Sequence, residues 1–460
     1  MAHRLPFSSG ERFTADINGL THSGEGVGRY REVPVFIPGA IPGDRVDAVI
    51  RQVKRNFARG ELLAVSKPAP ARQTPPCSRF GRCGGCAYQM MKYGEQLKWK
   101  GSQVKDSLTR IGRLSGVPVM DAVGLDDPWY YRNKATFQVG RVNGKILLGF
   151  FEKGAASLAG FDEEGNEHAP ATECLLPDKD INKIGAELTS ILNKGAIATE
   201  FLAPLQQVQI RRSSHTGEVS VTLITETGRW PAEKALAGII GERLPEITSL
   251  SRGVEIRQPG GGLVRNDKLL AGKPFITDKI GSLTYRIASS SFYQVNPGLT
   301  GILYEKTREY AGLKGGETIV DAYGGIGAVA LYLARQAGKV LGLEANPTAV
   351  ADARANATLN RIDNAEFKTG AVEVLLPAMV EQGLQPDVLI LDPPRRGCAP
   401  AVLEAAATAR AKRIIYLSCN PATLSRDLRQ LAERGYTLRE AQPIDMFPWT
   451  AHVETVCWLD

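Results

Sequence analysis

Apolar and polar positions follow two different rhythms along this chain, and the change of rhythm divides it. Residues 13–65 carry short runs of strand type. Val33-Pro34-Val35-Phe36-Ile37-Pro38 is nearly all apolar, and Asp44-Arg45-Val46-Asp47-Ala48-Val49 alternates. Gly24, Gly26, Gly28, Gly39 and Gly43 punctuate them, which predicts a small β-barrel. From about residue 267 strands and helices alternate instead. Residues 318–323 read as a buried strand, after which Ile326, Val329, Ala330 and Leu333 recur at helical spacing. Residues 339–344 are a second strand, and Asn346-Pro347 opens a helix as N-cap and first-turn proline. Residues 387–391, 413–417 and 453–459 are three more strands. This predicts a doubly wound α/β domain with a mainly parallel sheet. Between the two regions, residues 67–77 hold four prolines and read as a linker. A cysteine-bearing segment and a mixed α/β region follow. The expected domains are 1–66, 67–264 and 265–460.

Composition narrows the class. Of the 460 residues 43% are apolar and 23% charged, ordinary for a chain with real cores. No apolar run approaches the roughly 20 residues of a membrane span. Residues 1–10 carry no signal-peptide core, so a cytoplasmic protein is expected. Net charge is +7, but residues 67–113 alone hold ten Lys/Arg and two Asp/Glu, a net of +8. Such focusing is a footprint for phosphates, with a solvated face as the plain alternative. Arg51, Lys54, Arg55 and Arg59 add a second, smaller basic stretch in the barrel. The seven cysteines are an odd count, which argues for metal binding or catalysis over a disulfide framework.

Ligands of doubly wound sheets sit outside the carboxyl ends of the strands, and the informative residues are there. The first strand runs into Asp321-Ala322-Tyr323-Gly324-Gly325-Ile326-Gly327, a turn through which a ligand can approach the backbone. The second ends at Glu344, an acid placed to accept hydrogen bonds from ribose hydroxyls. The pyrophosphate pattern G-x-G-x-x-G is not met, which tilts the pocket toward adenosylmethionine. The third strand ends Asp392-Pro393-Pro394-Arg395, whose prolines make a rigid extended loop. There Asp392 can face cofactor and base together. The fourth ends Leu417-Ser418-Cys419-Asn420-Pro421. Asn420 and Pro421 read as N-cap and first turn, so Cys419 precedes a helix N-terminus, which is expected to lower its thiol pKa.

A thiolate beside a methyl donor suggests one chemistry. Carbon 5 of uracil is a poor nucleophile until a thiolate adds to carbon 6 and makes an enolate. A base must later remove the carbon 5 proton. Near the C-terminus His452-Val453-Glu454 offers two bases, His452 and Glu454. Alternation puts both on one face, so the residues alone leave the choice open.

These motifs together resemble the bacterial 23S ribosomal RNA uracil-5-methyltransferases of the iron–sulfur type, over nearly the whole chain. The resemblance is carried by Cys77-x5-Cys83-Gly84-Gly85-Cys86 with Cys174 downstream. Ser291-Phe292-Tyr293-Gln294-Val295-Asn296, Asp392 to Arg395, Ser418 to Pro421 and His452-Val453-Glu454 add to it. It implies an α/β protein of three parts. These are an N-terminal OB-like TRAM barrel, a central α+β domain with a [4Fe–4S] site, and a C-terminal Rossmann-like methyltransferase domain. Cys419 would be the nucleophile and Glu454 the base. Gln294, Tyr323, Glu344 and Asp392 would bind S-adenosylmethionine. Cys77, Cys83, Cys86 and Cys174 would hold the cluster. Read from the residues alone, four thiolates suit either [4Fe–4S] or zinc, and the x5 spacing favours iron. Many relatives carry Cys where this chain has Gly324, so pocket shape is expected to differ slightly.

The implied partner is RNA, 23S rRNA before tRNA, with no membrane and a monomeric protein. Residues 67–113 and Arg132-Asn133-Lys134 are the expected phosphate contacts. Tyr88, Tyr93 and Trp99 are candidates for base stacking or, equally, for core. Three rivals compete: a radical enzyme with a TRAM domain, which would need a Cys-x3-Cys-x2-Cys spacing, a cytosine-5 methyltransferase, and a non-catalytic RNA-binding factor.

Overall fold

The structure is a computed structural model that describes residues 6–159, 173–257 and 263–460. Part of the N-terminal stretch read for a signal core, residues 1–5, lies outside the described residues. The barrel forms as the glycine-punctuated runs predict. Strands β1 (Arg12–Leu20), β2 (Gly26–Tyr30), β3 (Val33–Ile37), β4 (Arg45–Val53) and β5 (Ala58–Lys67) close in the order β1-β2-β3-β5-β4. Inward-facing Phe13, Ala15, Ile17, Val35, Ile37, Val46, Ala48 and Ile50 fill it. Arg51, Lys54, Arg55 and Arg59 stand exposed on the β4–β5 hairpin, where a basic surface was expected.

The central region starts with α1 (Tyr93–Arg110). It continues with β6 (Lys134–Val142), β7 (Lys145–Gly149), α2 (Lys179–Asn193), β8 (Leu205–Arg212) and β9 (Val219–Thr225). Helix α3 (Glu233–Arg243), β10 (Ile247–Arg257) and β11 (Leu263–Gly272) complete it. The sheet order is β11-β10-β9-β8-β6-β7. Strand β11 pairs with β10 as far as Gly272, so this sheet reaches past the boundary expected at 264. Local periodicity carries no sign of that long antiparallel pairing. Helix α1 departs from expectation in another way. Its Val104 and Leu108 are buried with Leu424 and Leu428 of the C-terminal domain.

A hairpin, β12 (Phe275–Ile280) and β13 (Leu283–Ala288), leads into the last domain. There α4 (Pro297–Ala311), β14 (Thr318–Ala322), α5 (Ala328–Ala334), β15 (Lys339–Glu344), α6 (Pro347–Leu359) and β16 (Ala365–Thr369) alternate. They are followed by α7 (Val372–Glu381), β17 (Val388–Leu391), α8 (Pro400–Thr408), β18 (Arg413–Ser418) and α9 (Pro421–Ala432). Strands β19 (Leu438–Ile444) and β20 (Glu454–Leu459) end the chain's sheet. The order is β16-β15-β14-β17-β18-β20-β19, parallel from β16 to β18, with β20 antiparallel to both its neighbours. Asn346 and Asn420 cap α6 and α9 through side-chain oxygens, each followed by Pro, as the sequence predicts. Among the described residues no helix is long and apolar enough to cross a membrane.

Candidate functional site

The parallel strands deliver their carboxyl ends to one edge, and the predicted residues meet there. Strand β14 passes into a turn in which Tyr323 has φ 70° and Gly325 φ 53°. A left-handed tyrosine is a strained backbone, held in place by what surrounds it. Gln294, Tyr323, Gly324, Gly325, Asp321 and Asp392 line one pocket with Phe292 and Tyr304. Glu344 is not among the lining residues but bonds the turn: one carboxylate oxygen accepts from the Gly325 N–H at 3.1 Å, the other from Asn346 N–H at 2.7 Å. A Cβ at Gly324 would lie 3.3 Å from an Asp321 carboxylate oxygen, so the turn is tight there.

No Lys or Arg stands among the residues lining this pocket, which include Asp321 and Asp392. Burial raises Asp321 to about 8, with repulsion from Asp392 and Glu344 added and the Ala330 N–H opposing. Burial raises Asp392 as well, and burial with Asp392 beside it raises Glu454 well above the usual carboxylate range. Desolvated carboxyls in this state favour a bound positive charge.

Strand register brings the ends of β18 and β20 together. Ser418 faces Thr455 across β18 and β20, and the same register carried one residue further puts Cys419 opposite Glu454. Directly opposed residues lie about 4.5–5.5 Å apart. Cys419 is half-buried. Its thiol is not lowered, as the helix N-terminus led us to expect. Burial and then Glu454 push it up to about 11, against the Arg395 guanidinium. The helix terminus does not offset this, since the Asn420 side chain, not the sulfur, takes the Ala422 N–H of α9 at 3.1 Å. We expect iodoacetamide to label Cys419 about tenfold faster per pH unit between about pH 7 and 9. Peptide mass spectrometry reads this, and a plateau at neutral pH would contradict the assignment.

The choice between His452 and Glu454 gains a physical basis. His452 precedes β20. Its Nε2 lies 3.1 Å from an Arg395 guanidinium nitrogen, and burial with Arg395 holds its pKa down to about 4. The ring nitrogen is therefore occupied as an acceptor. Glu454, at the start of β20, is 6% exposed and has Cys419 and Asp392 as its electrostatic neighbours.

Sequence reasoning left three residues without a role. Arg395 is the cation of the site, and only the meeting of two strand ends with the 452 loop reveals it. Asp321 binds the Ala330 N–H at 3.1 Å and floors the pocket. Phe292 is 62% exposed at the pocket rim, an apolar ring with no core to join. The motif around Gln294 contained it, but exposure of an aromatic is invisible in a sequence.

The four expected cluster cysteines converge from segments far apart in sequence. Cys77, Cys83, Cys86 and Cys174 line one cavity of about 300 Å³, together with Arg79, Arg132 and Lys134. Burial pushes Cys86 up to about 12, with Cys174 and Cys83 adding repulsion, and burial raises Cys174 too. Among the described residues no three His, Cys, Asp or Glu side chains are gathered closely enough to hold a metal ion as they stand.

The expected RNA surface is partly spent inside the protein. Within 67–113, Arg72 pairs with buried Asp44, Arg79 is buried, and Lys100 is fully buried against Asp445. Asn133 is buried and donates to the Gln294 carbonyl at 3.0 Å, so it holds the loop around Gln294 and is closed to phosphate. Tyr88 is wholly buried, Tyr93 packs on Trp449, and Trp99 is half-buried in a small apolar cluster. Of the two readings of these aromatics, the structure favours core.

Comparison with known proteins agrees with this geometry. Residues 262–460 match the family model described as tRNA (uracil-5-)-methyltransferase, and residues 6–63 match that of the TRAM domain. An uncharacterized RNA methyltransferase of Bacillus cereus is 38% identical, covering 99% of this chain and 98% of its own. One from Halalkalibacterium halodurans is 37% identical over 99% and 98%. The Pyrococcus abyssi tRNA (uracil-54, C5)-methyltransferase, solved with S-adenosyl-L-homocysteine, shares the fold. Its TM-score is 0.69 at 24% identity, covering 97% of this chain and 100% of that one.

Proposed function

We propose, for a chain that belongs to the RNA (uracil-5-)-methyltransferase family, that it uses Cys419 and Glu454 to methylate carbon 5 of a uridine, and that the uridine lies in 23S rRNA. The observation that supports the mechanism is that Cys419, just after the end of β18, has Glu454 at the start of β20 and the pocket acid Asp392 as electrostatic neighbours.

Gln294, Tyr323, Glu344 and Asp392 are the residues that would hold the cofactor. Bound adenosylmethionine would supply an electrophilic methyl group and the positive charge that the pocket lacks. The protein's own steps then follow. The Cys419 thiolate, favoured by Arg395, bonds to carbon 6, and the ring's carbon 5–carbon 6 electron pair moves toward oxygen 4. Once carbon 5 carries its methyl group, Glu454 takes the carbon 5 proton. The released pair restores the double bond and expels the thiolate. A pyrimidine must leave its stack to reach Cys419, and Phe292 offers the face on which a displaced base can rest.

The cysteine cavity suits a [4Fe–4S] cluster better than zinc. Zinc needs four ligands converged at about 2.3 Å from one point. Here the sulfurs surround a cavity, and three cations line it, as an anionic cluster requires. Its role would be structural, since the transfer needs no electron. Anaerobically purified protein is expected to carry about four iron and four acid-labile sulfide per chain. Stoichiometric zinc without iron rejects this.

Transfer RNA is the second reading, because the matching family model is described by that substrate. Mass mapping of 5-methyluridine in rRNA and tRNA, from cells with and without the gene, tests both. Loss from a 23S rRNA position is expected. Loss from tRNA alone moves the substrate, and no loss at all removes the function.

A further inference from the structure

The segment that leads to the base is bonded largely by residues distant in the chain. It is residues 445–453, between β19 and β20. Asp445 donates its N–H to the Val123 carbonyl at 2.7 Å. Asn296 bonds the Met446 carbonyl at 3.2 Å, and the Tyr131 hydroxyl bonds that of Pro448 at 3.2 Å. The Trp449 carbonyl accepts from Ala87 and Tyr88 N–H at 2.8 and 3.0 Å, while its indole N–H reaches the Pro128 carbonyl at 2.9 Å. Trp449 itself has φ 68° and stacks on Trp129 at 4.0 Å. Such a conformation persists only where the surroundings over-determine it.

At the root of this segment sits an ion pair shut off from water. Lys100 of α1 and Asp445 are both 0% exposed and bonded to each other. The Lys100 ammonium also donates to the Phe447 carbonyl at 3.1 Å, and the Tyr93 hydroxyl and the Phe447 backbone face the Asp445 carboxylate. A buried pair of this kind is a poor source of stability, because desolvation offsets its attraction. Apolar replacements of both partners are often neutral or stabilising. What the pair does supply is direction: one ammonium fixes a carboxylate and a carbonyl two residues apart, at the entry to the segment that ends in Glu454.

We propose that Lys100 and Asp445 are positioning residues, which set residues 445–453, and through them Glu454, against Cys419. This rests on the reading of Glu454 as the base. The pair is fully buried and does not line the pocket of Gln294 and Asp392, and its effect falls on proton removal, after the sulfur–carbon bond has formed.

The test is the Lys100→Met/Asp445→Leu double variant of the full chain, compared with Glu454→Gln. The expected result is an unfolding temperature at or above that of the parent and a KM for RNA within about twofold. A kcat lowered about 10- to 100-fold should accompany them, since misplacement by an ångström costs that much. The signature is a denaturant-stable Cys419–RNA adduct that accumulates during turnover, as in Glu454→Gln. A folded double variant with parental kcat overturns the proposal, as does a lowered kcat with no adduct. If the double variant does not fold, Asp445→Asn carries the same two criteria. Should Glu454→Gln itself accumulate no adduct, the base assignment fails and takes this inference with it. An adduct there and none in the pair variants fails the positioning role alone.

Discussion

Replacing Cys419 with alanine is expected to lower methyl transfer to RNA below about one thousandth of the parent rate, while RNA affinity stays within about threefold. The size of the effect follows from the order of events. Without the sulfur–carbon bond no enolate forms, and no other group in the pocket can take that place. Affinity is spared because the contacts available to RNA lie elsewhere, on the exposed β4–β5 hairpin and the ring of Phe292. Labelled methyl incorporation and a filter-binding isotherm on the same preparation read the two quantities. Retained turnover would dismiss the nucleophile; lost affinity would mean that the variant is misfolded or that the thiol is part of the RNA site.

Replacing Glu454 with glutamine is expected to cut kcat by about 10²- to 10⁴-fold, the span of general base catalysis. Here the sulfur–carbon bond still forms, so enzyme and RNA should remain joined and migrate together in denaturing gels. Removing a buried carboxyl also relieves Asp392 and Cys419, both of which now repel it. Labelling of Cys419 at fixed pH should therefore speed up in the variant. His452→Gln serves as the contrast, with kcat within about tenfold and no trapped species. If the histidine variant traps RNA and the glutamine variant does not, the two roles are exchanged.

Much of the site was legible because doubly wound sheets gather their chemistry at strand ends. Glu344, Asp392 and Cys419 were each found as the residue that closes an apolar run, and two asparagine caps were found beside prolines. The glycine-rich barrel was legible for a similar reason, since turns announce themselves. What escaped depends on pairing between distant segments. Strand β11 joins the central sheet through β10, and α1 crosses to the C-terminal core, neither of which leaves a local periodicity. Arg395 was in view as the end of a motif, but its role needs the 452 loop folded back upon it. The thiol shift of Cys419 ran opposite to expectation because a helix terminus is a local feature, whereas burial beside two carboxyls is not. Counting basic residues between 67 and 113 overstated the RNA surface, since a sequence does not say which charges are turned inward.

The placement of β20 also has a bearing on how the protein is made. It follows every other strand of its sheet along the chain, yet it is inserted between β18 and β19 and is not added at an edge. During synthesis those two neighbours emerge first and must wait, with their facing edges open, for residues 454–459. Glu454 thus takes its place only as the last gap in that sheet is filled.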